Sequence, residues 1–487
     1  MIALILFVLI TFLLYCYITI YYDPGDLPTY DGKLPIIGHL HKLPRNALDV
    51  WDGIINLANG CTKLGGVAVG YFGFIPVYVV TDPDDVFKVS SAEIHKPKFL
   101  KKYSQKIIGN GLIFGSVPSW QNHRKQLNPS FNQQVLDEYM TVFNRQSRIL
   151  MKDLECMVGK PPFDHKLLIE RGALRTICGS VFGVNIDHDV EDFLKSYQNL
   201  FDLVTLRVLN PLRFFDFINE RTKLYRDMSG YSDKVLKFSE EVLEKRIEEM
   251  KKMSPDELTK LSELKFKPFI DLLLQNKTFS HQQIIDEMTT MIVAGFETIS
   301  TLLFFMLVIL GTYSDVQEKI FNEIQEVFGD SDLDVTKDDL QKLKYTDAVI
   351  KESLRFSPIV PLIARYLTKD IQLKNRVLKK GFVCIILLYG ALRHPMWGPD
   401  SEQFIPERWM DPDRLAKSPH AFAAFSFGKR NCIGKTYSFM AIKVQLVHFF
   451  RRYKVQADYS KLKMKINIIV KPESGHNISI QYRQKMK

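Results

Sequence analysis

Between Met288 and Leu310 the only charged residue is Glu297. A stretch that apolar has to be screened from water, either inside a membrane or along the centre of a large core. A carboxylate in mid-membrane costs about 2.5–3.5 kcal/mol on insertion scales. The approach to the stretch is polar, and Ser280-His-Gln-Gln283 reads as a capping box. The expectation is a buried central helix opening at Ser280 and stopping at Gly311 as its C′ residue, roughly 45 Å long.

A second uncharged run, Ile2 to Tyr22, has a different character. At a helical rise of about 1.5 Å per residue it reaches about 31 Å, enough for a bilayer core. No Lys or Arg precedes it and bulky Tyr21-Tyr22 close it, which argues against a cleaved signal. It is read as an uncleaved transmembrane anchor over 1–22. Lys33, Lys42 and Arg45 follow it, so the rest of the chain is expected on the cytoplasmic face. Residues 23–45, with Asp23-Pro24-Gly25 and Leu34-Pro35, read as a stiff connector, because proline cannot continue the helix. Residues 46–487 are expected to form the main domain.

Within that domain, residues 66–80 are rich in β-branched and aromatic residues and read as a strand pair. From Trp120 to about Leu354 the pattern is helical, and short strands return at about 363–387 and 453–482. The fold class is α+β, mostly helical with small sheets. The net charge of +10 comes from 65 basic and 55 acidic residues. Its basic pairs are scattered, reading as solvated faces that together favour an acidic protein partner or an anionic membrane. No nucleic-acid motif is present. Six widely spaced cysteines make no disulfide framework.

Chemistry concentrates in five short patterns. The first is Phe425-Ser-Phe-Gly428-Lys-Arg430-Asn-Cys432-Ile-Gly434, a lone cysteine in a glycine-flanked loop ahead of an apolar helix. Zinc or an iron–sulfur cluster needs several sulfurs or histidines at close spacing; one sulfur suits a large flat ligand. The second is Ala294-Gly295-Phe296-Glu297-Thr298, where small residues admit a flat ligand close to the backbone and an acid stands beside an alcohol. That pair reads either as a proton relay or as a threonine back-bonded to the previous turn with Glu297 at a cavity edge. Glu352 and Arg355 share a helix face just before Pro358, a spacing common in surface ion pairs, and Arg408 in Pro406-Glu-Arg-Trp409 can join the same carboxylate. Trp120 and Arg124, one turn apart, suit the acidic rim of a planar ligand.

In this order and spacing the five patterns resemble the haem-thiolate monooxygenases of the cytochrome P450 superfamily over essentially the whole chain. The anchor and connector resemble the microsomal branch, on the endoplasmic reticulum membrane. The segments Ser357-Pro-Ile-Val-Pro-Leu-Ile and Phe425-Ser-Phe-Gly resemble the branch holding fatty-acid ω-hydroxylases and insect enzymes. The resemblance implies non-covalent haem b with Cys432 as the iron ligand, and a tight loop permitted by Gly428 and Gly434. It also implies propionate binding by Arg124, Arg365 and Arg430, with Trp120, Ala294, Gly295 and Phe425 at the same site. Glu352, Arg355 and Arg408 become a structural clamp on the loop carrying Cys432, and Glu297 with Thr298 serves proton delivery on the opposite face. Some members of that branch esterify haem through a glutamate where this chain has Ala294, so no such bond is expected here.

The implied reaction inserts one oxygen atom from O₂ into a lipophilic small molecule (a fatty acid, a terpenoid or hormone, or a xenobiotic). Electrons come from NADPH through a flavoprotein reductase, with cytochrome b5 as a further partner. Lys429, Lys435, Lys443, Arg451 and Arg452 are candidates for an acidic donor's docking face. Apolar Ile113, Phe114, Met291, Ala294, Phe296, Val360 and Leu362 are candidate substrate contacts or simply core. Two rivals are a haem-thiolate isomerase or lyase acting on peroxides, which commonly lacks the acid–alcohol pair, and a non-catalytic haem-binding membrane protein.

Overall fold

The computed structural model describes residues 9–12, 14, 23–44, 46–186, 190–210, 213, 216–263, 265, 267–276, 278–467 and 469–483. The expected anchor at 1–22 therefore lies almost wholly outside the described residues. The chain forms two compact units: one from 1–98, 360–402 and 416–431, the other from 99–359, 403–415 and 432–487.

The first unit is built on a four-stranded sheet. Strands β1 (Val67–Phe72) and β2 (Ile75–Val80) form the expected antiparallel pair across a turn at Gly73, whose φ of 66° suits glycine. Strands β3 (Ile363–Tyr366) and β4 (Val383–Ile386) complete it in the order β1-β2-β4-β3, with β2 and β4 parallel. Helix α1 (Ala47–Lys63) is capped by Asn46, and α2 (Pro83–Ala92) by Asp82, which accepts the N–H groups of Asp84 and Asp85 at 3.0 and 3.1 Å. Val67, Tyr78, Val86, Val89 and Ile386 lie in one buried cluster under this sheet.

The second unit is helical: α3 (Val117–Leu127), α4 (Met140–Glu155), α5 (Lys166–Val181), α6 (Val190–Val208), α7 (Lys223–Lys251), α8 (His281–Thr312), α9 (Ser314–Phe328), α10 (Lys344–Phe356) and α11 (Lys435–Phe450). Two antiparallel strand pairs accompany them, β5 (Tyr453–Gln456) with β8 (Ser479–Tyr482), and β6 (Lys463–Asn467) with β7 (Ile469–Ser474).

Helix α8 is the long apolar element expected from the sequence. Ser280 Oγ accepts the Gln283 N–H at 3.3 Å while Gln283 Oε1 accepts the Ser280 N–H at 2.9 Å, completing the capping box. Among the described residues α8 is the one helix long and apolar enough to cross a membrane, but most of it is buried, packed between α5, α7 and α9. It is the spine of a core. Its end corrects the expectation. Gly311 is still helical and the cap falls at Tyr313. A Cβ on Gly311 would lie 2.7 Å from the Ala457 backbone nitrogen, so glycine here admits the strand that follows α11 rather than stopping the helix.

Candidate active site

In the second unit Cys432 stands three residues before α11 and two before its N-cap, Gly434. Burial pushes its thiol pKa up; the Gly434 N–H bonded to sulfur and the charges of Arg124 and Lys435 pull it down. The sulfur is crowded by protein yet still exposed, so it is not sealed in a core. The other described cysteines differ. Cys61, Cys178 and Cys384 are buried, their pKa values raised by burial as that of Cys432 is, and Cys156 caps the C-terminal, electronegative end of α4. Among the described cysteines Cys432 alone joins exposure to a helix N-terminus and nearby cations. A Cβ on Gly434 would meet the sulfur at an ordinary 4.0 Å, so that glycine is not forced by space.

Arg124 follows buried Trp120 by one turn of α3, as expected, and its Nε donates to Asn128 Oδ1 at 2.7 Å. Burial lowers its pKa while the Cys432 charge raises it.

On α8, Thr298 Oγ1 donates to the Ala294 carbonyl at 2.8 Å, leaving its oxygen free to accept from another donor. Glu297 turns elsewhere: its Oε1 lies 2.6 Å from Lys471 Nζ on β7. The acid and the alcohol thus make their polar contacts separately. Gly295 also has a packing reason, since a Cβ there would collide with Ile177 of α5. Phe296 is buried against the rings of Phe193 and Tyr197 on α6, at 5.7 and 4.9 Å.

Glu352, on α10, is no surface ion pair. It and both arginines are fully buried. Its carboxylate accepts Arg355 Nε and Nη2 at 2.8 Å each, Arg408 Nε at 3.0 Å, the Ile405 N–H at 2.8 Å and the Trp409 indole N–H at 3.0 Å. Burial alone would raise its pKa, but these donors hold the carboxyl below the usual range. Arg355 also donates to the Gln403 carbonyl at 2.7 Å, so the cluster ties α10 to residues 403–409.

The remaining expected residues belong to the first unit. Gly428 has φ 72°, and a Cβ there would come within 2.5 Å of the Ser90 carbonyl oxygen; this turn requires glycine. Phe425 faces Phe422, ring centroids 6.4 Å apart. Arg430 Nε donates to the Ile94 carbonyl at 3.0 Å, and Arg365 on β3 donates to the Glu93 carbonyl at 3.1 Å. Burial lowers the Arg365 pKa to about 10. Lys96 also sits among them, its pKa pushed well down by burial and by both guanidinium groups. Two guanidinium groups around one locus, with a lysine that an anion would help to protonate, favour an anion there.

Sequence reading missed Lys96, which has no motif around it. It also missed Glu287, a buried carboxylate on α8 that accepts the Leu112 N–H at 3.0 Å and pairs with His123 Nδ1 at 2.7 Å. Asp286 beside it accepts the Asn110 N–H at 3.0 Å, so two adjacent acids moor the loop carrying Ile113 and Phe114. The Asp-Glu pair just ahead of an apolar run was the available signal. Of the expected docking cations, Lys443 pairs with Asp347 at 2.8 Å and Arg452 with Asp332 at 3.0 Å, which partly neutralises that cluster.

A family model for Cytochrome P450 matches residues 28–480. Cytochrome P450 4V2 of Mus musculus is 31% identical over 477 residues, spanning 94% of this chain and 90% of that protein. Probable cytochrome P450 313a1 of Drosophila melanogaster is 30% identical over 437 residues, 86% and 87% of the two chains. The ultra-long-chain fatty acid omega-hydroxylase of Homo sapiens is 30% identical over 418 residues, 82% and 78%. The class so defined is that of monooxygenases, oxidoreductases holding iron protoporphyrin IX non-covalently through a cysteine thiolate. The chain belongs to the cytochrome P450 family. Its residues fit the cofactor: a single exposed sulfur at a helix N-terminus for the iron, and in the first unit a cluster of cations suited to carboxylates.

Proposed function

We propose that this chain hydroxylates a lipophilic small molecule, with Cys432 as the iron ligand and electrons delivered from NADPH by a flavoprotein reductase at the endoplasmic reticulum membrane. The observation that carries the reading is the setting of Cys432: one exposed sulfur, the Gly434 N–H upon it, and Arg124 and Lys435 nearby. Bound haem supplies the oxygen-activating chemistry, which a thiolate ligand favours by donating electron density. By the family resemblance Arg124, Arg365 and Arg430 would hold the propionates by charge-assisted bonds, and Trp120 and Phe425 would contact the macrocycle. Anchoring by residues 1–22 keeps the catalytic domain, residues 46–487, on the cytoplasmic face beside membrane-dissolved substrates, and cytochrome b5 is a further donor. Because one relative is a fatty-acid omega-hydroxylase, long-chain fatty acids are the first substrates to try.

Thr298 presents a hydroxyl oxygen to the reacting side of α8, and Glu297 one position earlier supplies protons to it. Thr298→Ala is expected to leave substrate binding unchanged while diverting several-fold more NADPH to peroxide. Equal peroxide yields from both proteins would reduce Thr298 to the back-bonded helix residue that its link to Ala294 already makes it. The reading as a whole is tested by supplying reductase, NADPH and ¹⁸O₂ with a panel of lipophiles. One ¹⁸O atom per product molecule is expected; products formed from peroxides without NADPH would assign the chain to an isomerase or lyase instead.

A further inference from the structure

Glu297 is one of two buried carboxylates that share a single ammonium. Lys471 Nζ lies 2.6 Å from Glu297 Oε1 and 3.3 Å from Oε1 of Glu170 on α5. The three residues are 4%, 3% and 7% exposed (Glu297, Glu170, Lys471), so none of this charge is solvated at the surface. One turn before Glu170, Lys166 stands 4.0 Å from it with its side chain 27% exposed. On α6, Tyr197 faces Glu297 and Gln198 donates to Glu170 at 2.6 Å. Lys166, Glu170, Ser300, Thr301, Phe304 and Lys471 line a small pocket beside the network. Thr301 Oγ1, in that lining, and Glu297 Oε2, outside it, are buried with no hydrogen-bond partner.

Resting on the reading that Glu297 supplies protons, we infer that Lys471 and Glu170 are its positioning residues, holding its carboxyl against β7 and connecting it to solvent at the Lys166 rim. Glu297 passes its proton to the Thr298 hydroxyl oxygen, which hands its own proton on to the substrate side, and Glu297 is left as a carboxylate paired with the Lys471 ammonium. A proton from solvent, entering past Lys166 and Glu170, restores it; no electron moves. The charges around it set opposing pressures. Burial raises the Glu297 pKa, Lys471 lowers it, and Glu170 raises it again. Tyr197 stays protonated, since burial and both carboxylates hold its pKa high, and adds no charge.

This arrangement predicts shifts of opposite sign. In the haem-loaded protein the Glu297 carboxyl band, identified as the infrared C=O band lost in Glu297→Gln, is titrated with pH. Lys471→Met removes the stabilising cation and should move the midpoint up by about 1 unit or more. Glu170→Gln keeps the acceptor for Gln198 but removes the competing charge, and should move it down. Lys471→Arg should keep the wild-type midpoint. The pH profile of NADPH coupling should follow the same order. Should Lys471→Met fail to fold, Glu170→Gln alone decides the sign. An unmoved midpoint in the variants, or a carboxyl band that does not titrate above the ordinary carboxylate range, overturns the inference. A Glu297→Gln protein with normal coupling at every pH would instead overturn proton supply by Glu297, whatever the midpoints do.

Discussion

Cys432→Ala should give a protein whose reduced CO complex lacks the thiolate-type Soret band and whose NADPH-dependent oxygenation falls below detection. The loss follows from what the sulfur does. A neutral or oxygen ligand donates less electron density to iron, and thiolate donation is what favours O–O cleavage. The protein invests in keeping that sulfur ionisable: the Gly434 N–H, Arg124 and Lys435 all oppose the burial that raises its pKa. Because the thiol must lose its proton to bind metal, haem loading should release a proton and weaken as pH falls. Cys432→Ser keeps the shape of the loop, so comparing the two variants separates loss of the ligand from collapse of the turn. An unchanged band in Cys432→Ala would remove the assignment and with it the proposed reaction.

Much of the fold was legible because its signals are local. The capping box at Ser280 and the apolar run behind it define α8 without reference to the rest of the chain. The β-branched stretch around Gly73 likewise encodes β1 and β2. Arg408 was named as a partner for Glu352 and meets it, but burial and most other partners distant along the chain were not legible. Glu352 and Arg355 look like any helical surface pair until burial is known. Glu297 looks like a partner for Thr298, yet its nearest charge is Lys471, far along the chain on a strand whose sequence carries no chemical signature. Gly311 failed as a stop signal for the same reason. A glycine that ends a helix and one that admits a neighbouring backbone read alike in sequence, and only the position of Ala457 distinguishes them.

Glu352→Gln should cost about 3–5 kcal/mol, because it strips the counter-charge from two fully buried guanidinium groups. Gln retains a carbonyl acceptor, but its NH₂ group would face the donors of Arg355, Arg408 and Trp409, so at least one of those bonds inverts into a clash. A domain's whole stability is about 5–15 kcal/mol, so the variant should express poorly, melt at a markedly lower temperature and retain little haem. Arg355→Lys is the sharper control. It keeps the charge but loses the two-pronged contact to the carboxylate and the bond to the Gln403 carbonyl, and should fall between wild type and Glu352→Gln. The same carboxyl gives a pH signature. Its folded pKa lies below the ordinary Glu value of about 4.3, so its contribution is complete above that pH and is lost as acid protonates it through the lower folded value. Wild-type protein should therefore shed stability in that acidic window, and Glu352→Gln, having nothing left there to protonate, should lose correspondingly less. Thermal melts across pH with haem absorbance recorded in parallel check both. A variant within about 1 kcal/mol of wild type would mean that the carboxylate's desolvation cancels its five contacts, a balance that buried ion pairs can strike only when both partners are replaced together.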